Sequence, residues 1–502
     1  MNADLRARFA SASGADETAR IRAVHAARIA RLATAHLETV TPALSARRRF
    51  SVGQRRAGLA TVIAVLALAV LAPRLLAIGV NMIFLVFTLA TLGLRCVVLW
   101  HSAGAAERTA SAPPSAAPSA RVADDALPVV TVLCPVFREA RMLAGLIGAL
   151  ERLDYPSDKL DVKLLMEAED AATIARAAHL APRFDLDRVI VPPGAPQTKP
   201  RACNHGLWSA RGEFLVIYDA EDEPEPAQLR KAAAAFAAAP PGIVCLQARL
   251  NYRGWDRNWL TRMFAIEYAL LFDLILPGLD RLGAPLPLGG TSNIFRTRAL
   301  LEAGGWDAFN VTEDADLGLR LAHHGWRAQV LDSTTYEVPM AHAGGWVRQR
   351  SRWIKGYLQC WAVHARHRPA TDAWRHALSL HFVVGAVAVA ALLNPVFWAL
   401  YAAWLFAPGV DLGWLFPEPL GAMAAVALLL GNAFQLWLFM LAPLRRGWRD
   451  LVPYALTAPL YWVMQSVAGY RALAQFLTDP HYWEKTEHEP APATAPRAAA
   501  PA

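Results

Sequence analysis

The stretch Phe214-Leu215-Val216-Ile217-Tyr218-Asp219-Ala220-Glu221-Asp222 decides the architecture. Five consecutive apolar residues, two of them β-branched, read as a strand buried on both faces. The run passes directly into three acids within four positions. Carboxylates two apart at a strand end can project to one side and share a divalent ion, and Mg²⁺ and Mn²⁺ are satisfied by one or two carboxylates plus phosphate oxygens. A polar turn capping the next helix explains the same residues equally well.

Comparable apolar runs lie at Val129–Pro135, Val162–Met166 and Ile243–Leu246, with helical stretches such as Glu139–Arg152 and Pro226–Ala239 between them. Strand–helix alternation over 129–340 predicts an α/β domain with a largely parallel sheet and a site at its carboxyl edge. Two further motifs fall in or just after it. Thr312-Glu313-Asp314 reads as a helix N-cap with acids in the first turn, or as a carboxylate presented at a helix start as a general base. Gln349, Arg352 and Trp353 stand at i, i+3 and i+4 and share one helical face. Trp stacks on sugar rings and Arg binds phosphate. The surrounding segment, 341–370, also has the aromatic and basic composition of a membrane-surface helix.

The ends of the chain differ from its middle. Of a net charge of +8, residues 1–57 carry +7, from 11 Arg against 4 Asp/Glu. They read as one or two basic amphipathic helices, a cytoplasmic arm over 1–56. This concentration at one end argues against a nucleic-acid partner. Residues 57–100 are apolar and broken at Pro73-Arg74, too long for one span of about 20 residues and right for a hairpin of two. The Arg residues before it place the arm in the cytoplasm, the lipid bilayer being the first partner. An Ala/Ser/Pro linker is expected over 101–128. Within 371–477 three apolar stretches follow, at about 376–407, 419–443 and 451–475, and 478–502 ends in a Pro/Ala-rich tail expected to be disordered. Five cysteines without a CxxC pair argue against a disulfide framework and against a zinc site. His323 and His324 read as solvated, His342 as structural, and no spacing predicts a histidine metal site.

The acidic strand end, Thr312-Glu313-Asp314 and Gln349–Trp353, in this order and flanked by apolar segments, resemble the processive inverting family-2 glycosyltransferases, which include cellulose, hyaluronan and poly-N-acetylglucosamine synthases. The resemblance covers about 58–488. It implies a GT-A-like fold over 129–340, a UDP-sugar donor, a growing β-linked polysaccharide acceptor, Mg²⁺ or Mn²⁺ as cofactor, and a multi-pass inner-membrane location with a cytoplasmic catalytic domain. An export partner in the periplasm or outer membrane would fit.

By the same resemblance Asp314 is the catalytic base, and Asp219 and Glu221 (or Asp222) hold the metal. Glu139 and one acid of Glu167-Ala168-Glu169-Asp170, with Asp170 the choice, contact the nucleotide, and Lys199 or Arg201 the diphosphate. Asp219, Glu313, Gln349, Arg352 and Trp353 complete substrate binding. Leu288–Asn293 is similar to the acceptor loop, and Tyr482–His488 to the loop that closes over the nucleotide, with Lys485 and Thr486 as phosphate contacts. If that loop is to reach the nucleotide, one C-terminal stretch cannot cross: either 451–475 is interfacial, or 376–407 makes two passes. Two alternatives stand: a non-processive enzyme making a polyprenyl-phosphate-linked sugar, and a non-catalytic envelope component.

Overall fold

A computed structural model of the chain describes residues 2–12, 14–111, 123–407, 409, 411–415 and 417–485. The tail from 486, with Thr486, and residues 112–122 of the expected linker lie outside the described residues.

The chain opens with three short helices, α1 (Asn2–Ala10), α2 (Ala15–Val24) and α3 (Ala26–Val40). They pack on the central domain. Leu5, Phe9 and Ile29 form a buried cluster with Trp208, and Arg6 donates to the carbonyls of Trp208 at 3.1 Å and Ala210 at 2.6 Å. Arg22 forms a two-pronged ion pair with Asp187. That pair completes a buried charge cluster: Lys163, with no exposed surface, lies 3.0 Å from Asp161 and 3.1 Å from Asp187, and Arg211 lies 3.0 Å from Asp161. A buried ammonium is tolerated only with such partners. Lys163 and Arg211 hold Asp161 below the usual carboxylate range despite its burial.

Helix α4 (Val52–Leu71) is capped by Ser51 in a reciprocal capping box with Gln54. It buries none of its residues. Pro73 begins α5 (Pro73–Ser111), which runs ten residues further than the expected linker start at 101.

The central domain is an eight-stranded mixed sheet: β1 (Val130–Val136), β2 (Leu160–Glu167), β3 (Leu186–Val191), β4 (Phe214–Ile217), β5 (Glu223–Pro224), β6 (Ile243–Tyr252), β7 (Asn293–Arg296) and β8 (Arg327–Glu337). The order is β3-β2-β1-β4-β7-β6-β8-β5. The half carrying β1 to β4 is parallel, as alternation predicts. The other half departs from that expectation: β7 runs antiparallel to both β4 and β6. Between β6 and β7 the chain leaves the sheet through α10 (Trp259–Leu270), a π-helical turn (Leu271–Ile275) and α11 (Leu276–Leu282), and returns reversed.

The other helices of the domain are α6 (Leu143–Glu151), α7 (Ala171–Ala178), α8 (Lys199–Leu207), α9 (Gln228–Ala238), α12 (Thr297–Glu302) and α13 (Glu313–Leu321). Then come α14 (Ala343–His364), α15 (Ala373–Ala377), α16 (Gly385–Phe406), α17 (Leu420–Leu444) and α18 (Ala458–Thr478).

Among the described residues, four helices are long and apolar enough to cross a membrane: Val52–Leu71, Pro73–Ser102, Ala373–Leu400 and Leu420–Leu444. Helix α18 is not one of them. It lies against α14 and α16, with Gly469 so close to Ala391 that a Cβ there would stand 2.8 Å from the alanine methyl. The domain meets the apolar helices through α11, where Gly278 abuts the Val98 carbonyl, and through the Arg446–Asp273 ion pair at 2.6 Å.

Candidate active site

One cavity of about 600 Å³ lies at the carboxyl edge of β1 and β4. Of the residues singled out in the sequence, Glu139, Lys199, Asp219, Glu221, Glu313, Asp314, Gln349, Arg352 and Trp353 all line it.

Asp219 stands two residues beyond β4. Its backbone N–H donates to Asp222 Oδ2 at 2.7 Å, and Thr291 Oγ1 donates to the same oxygen. Asp222 thus ties the acidic turn to the loop before β7, while Glu221 faces the cavity. Lys199 opens α8, where a cation opposes the helix dipole. Its ammonium lies 2.5 Å from Asp219 Oδ1 and 2.8 Å from the Gly290 carbonyl. Burial works against that charge, but Asp219 and Glu313 more than offset it, so the Lys199 pKa is raised.

Glu313 and Asp314 begin α13. Thr312 occupies the cap position but its hydroxyl caps nothing; Asp314 Oδ1 accepts from the Ala315 N–H at 2.8 Å. Burial pushes Glu313 up to about 8, with Asp314 adding to it. Burial also raises Asp314, against the Ala315 hydrogen bond, Lys199 and Arg352. A Cβ at Gly290 would stand 3.5 Å from Asp314 Oδ2 and 3.8 Å from Lys199 Nζ, so the missing side chain leaves free space between them.

Gln349, Arg352 and Trp353 present one face of α14 to the cavity. Burial lowers the Arg352 pKa, and its guanidinium stacks 4.4 Å above the Trp483 ring. Trp483 is held there by the segment after α18. Lys355, fully buried, donates to the Tyr482 carbonyl at 2.7 Å; Gln359 donates to the Pro480 carbonyl at 2.9 Å; Arg471 pairs with Glu484 at 2.7 Å. Two residues on, Lys485 reaches Glu139 at 2.5 Å.

Two expected site residues do not line the cavity. Asp170 spends one oxygen capping α7, accepting from the Thr173 N–H at 3.2 Å, and the other on the Arg138 N–H. Arg201 is buried beneath the wall, 3.0 Å from Glu167. Glu167 lines the cavity instead and is pushed up to about 7 by burial, which outweighs Arg201.

Sequence reasoning missed Glu337 at the end of β8. Burial, then Asp222, Glu221 and Asp219, raise it well above the carboxylate range. An acid closing a strand was the available signal. Glu221 is pushed up to about 7, by burial and then Asp219. The site therefore holds more carboxylate than Lys199, Arg352 and Lys485 balance, and Asp222 Oδ1 is buried without a hydrogen-bond partner. Excess acid and oxygen donors fit a hard divalent cation at Asp219 and Glu221.

The cavity does not end at the domain. Phe84, Thr91 and Arg95 of α5, Asn394 and Phe397 of α16, and Asn432 and Gln435 of α17 line the same space.

A mixed α/β sheet with an acidic turn after its fourth strand and a carboxylate-bearing helix across the cavity defines a GT-A-like nucleotide-diphospho-sugar transferase fold. The chain belongs to the family described as glycosyl transferase family group 2, whose model matches residues 214–470. Glucomannan 4-beta-mannosyltransferase 2 of Arabidopsis thaliana is 30% identical over 214 residues, 40% of this chain and 39% of that one. Cellulose synthase 2 of Novacetimonas hansenii is 30% identical over 243 residues, 46% of this chain and 14% of that one. The mannosyltransferase of Pyrobaculum calidifontis, solved with GDP-Man and Mn²⁺, matches with a TM-score of 0.47 at 21% identity, over 80% of this chain and 99% of that one. The chain spans about two fifths of the length of the first curated relatives it matches, 39%, 40% and 38%.

Proposed function

We propose that the chain is a membrane-embedded, processive, inverting hexosyltransferase that passes its β-linked product out between its own spans. The observation that carries this reading is the single cavity that joins Asp219, Asp314 and Arg352 to polar and aromatic side chains of three candidate spans.

In this proposal the roles are distributed as follows. Asp314 accepts the proton of the acceptor hydroxyl as that oxygen attacks the anomeric carbon; the bond from that carbon to the diphosphate breaks, inverting the configuration. Lys199 and Arg352 balance charge on the departing diphosphate. Asp219 and Glu221 would hold Mg²⁺ or Mn²⁺, which when bound neutralises diphosphate oxygens. Glu139 positions the nucleotide from the loop after β1. Glu313, Gln349 and Trp353 place the sugars, Trp353 by stacking. Asp170 and Arg201 act only by shaping the loops around them.

Contacts between the ends support paired spans. The arm touches the catalytic domain through Arg22 and Asp187, so α4 and α5 cross and return. Arg49 donates to the carbonyls of Phe476 and Leu477, both at 2.6 Å, which puts the chain after α18 on that same side. Two spans, 373–400 and 420–444, satisfy this, with α18 lying along α14. The Arg-rich arm makes that side cytoplasmic.

The donor is a nucleotide-diphospho-sugar. A UDP-sugar is the first expectation, and the relatives named mannosyltransferases add GDP-mannose to the test. Purified chain in liposomes is incubated with Mn²⁺ and labelled UDP-glucose, UDP-N-acetylglucosamine or GDP-mannose. Long polymer protected inside the vesicles supports the proposal; a lipid-linked monosaccharide supports the non-processive alternative; no incorporation from any donor overturns both.

A further inference from the structure

His323, half-buried rather than fully solvent-facing, meets three other histidines. It follows α13, and its Nε2 lies 3.4 Å from Nδ1 of His364, the last residue of α14 and 41 positions away. His376 of α15 joins them, its ring centroid 5.2 Å from that of His323 and 5.4 Å from that of His364. One ring nitrogen from each of the three lies within 4.8 Å of the others. His367 stacks on His323 from the exposed side at 5.2 Å.

His364 has no exposed surface and His376 is 2% exposed. The other nitrogen of His364, Nε2, lies 3.0 Å from Asp316 Oδ1, and Asp316 is held in turn by Arg320 at 3.2 Å. A carboxylate that takes one imidazole N–H fixes the tautomer and leaves the opposite lone pair free for a ligand. That lone pair, on Nδ1, faces His323. Meanwhile His376 Nε2 and His323 Nδ1 are buried without a hydrogen-bond partner. Three convergent imidazoles with polar atoms left over are hard to explain as packing, since buried polar groups are otherwise paired.

We propose that His323, His364 and His376 form a structural binding site for a late divalent transition metal, Zn²⁺ foremost, separate from the acidic site at Asp219. Imidazole suits Zn²⁺, whereas Mg²⁺ and Mn²⁺ prefer oxygen. Zn–N bonds of 2.0–2.1 Å set tetrahedral nitrogens about 3.4 Å apart, which is the His323–His364 separation. His376 closes inward by about an ångström on binding, and water or His367 takes the fourth position. The ion staples the end of the helix that carries Asp314 to the end of the helix bearing Arg352. It ties both to the start of the third candidate span.

The full-length chain in detergent is stripped with chelator and titrated with ZnCl₂ in excess Mg²⁺, which occupies the acidic site. The expected results are one tightly bound zinc per chain by elemental analysis and a higher melting temperature. A His323→Gln/His376→Gln double variant should lose both. Zinc retained by the double variant, or no zinc bound by the wild-type chain, overturns the proposal. Should the double variant not fold, Co²⁺ in the wild-type chain decides: an intense tetrahedral visible spectrum is expected, and a weak octahedral one overturns the site.

Discussion

Gly356 of α14 sits so close to Thr312 that a Cβ there would stand 2.2 Å from the threonine hydroxyl oxygen. The absent side chain lets the helix bearing Arg352 lie directly on the residue that precedes Glu313 and Asp314. Gly356→Ala therefore forces α14 and the start of α13 apart. Overpacking of this kind costs about 1–3 kcal/mol. The expected outcome is a lower melting temperature and a kcat reduced more than donor affinity, read by calorimetry and initial rates.

Asp314→Asn should remove the base. Loss of a general base costs about 10²- to 10⁴-fold, so transfer should fall by that range while nucleotide binding, measured by calorimetry, stays near wild type. Polymer synthesis at the wild-type rate would sink the assignment.

The pH profile gives an independent reading. The base works deprotonated, so rate falls as pH drops through its pKa. Burial raises Asp314, so the acid limb of kcat/KM should lie above the range of a free aspartate. Lys199 opposes that rise, and Lys199→Met should move the limb to still higher pH. A limb that stays put would separate Lys199 from the base.

Glu221 and Asp222 can be told apart by metal affinity. Glu221→Gln should weaken Mn²⁺ binding in the presence of nucleotide by about tenfold or more, since each carboxylate is a principal ligand for so hard an ion. Asp222→Asn should act mainly on stability, because its Oδ2 holds the turn through Asp219 N–H and Thr291.

Trp483→Ala tests the closing segment. Stacking of a guanidinium on an indole contributes about 0.5–2 kcal/mol, so donor kcat/KM should drop roughly two- to thirtyfold. Little change in melting temperature is expected, because Lys355 and Gln359 still hold the segment.

Much of the site was legible because its residues follow local patterns. A buried strand running into Asp219, acids opening a helix at Glu313, and a shared face at Gln349, Arg352 and Trp353 can each be read within ten residues. What was not legible depends on distance along the chain. Asp170 looks like a ligand until Thr173 and Arg138 claim its oxygens. Glu337 reads as an ordinary strand-end acid until β8 is placed beside β6 and its carboxylate comes under the charge of Asp222. The antiparallel β7 depends on where the excursion through α10 and α11 returns. The histidines show the same limit, since no local spacing announces residues 41 positions apart.

The arm carries a consequence for biogenesis. Arg22, Leu5 and Phe9 leave the ribosome before the residues they dock on, Asp187 and Trp208. If α4 and α5 form the proposed spanning hairpin, they enter the bilayer while Arg22 still lacks Asp187 and Leu5 lacks Trp208. Only when residues near 210 have emerged can the arm fold back across the base of the hairpin. Docking therefore follows the emergence of β1, β2 and β3, and a chain stalled earlier displays an unpaired, Arg-rich, partly apolar segment.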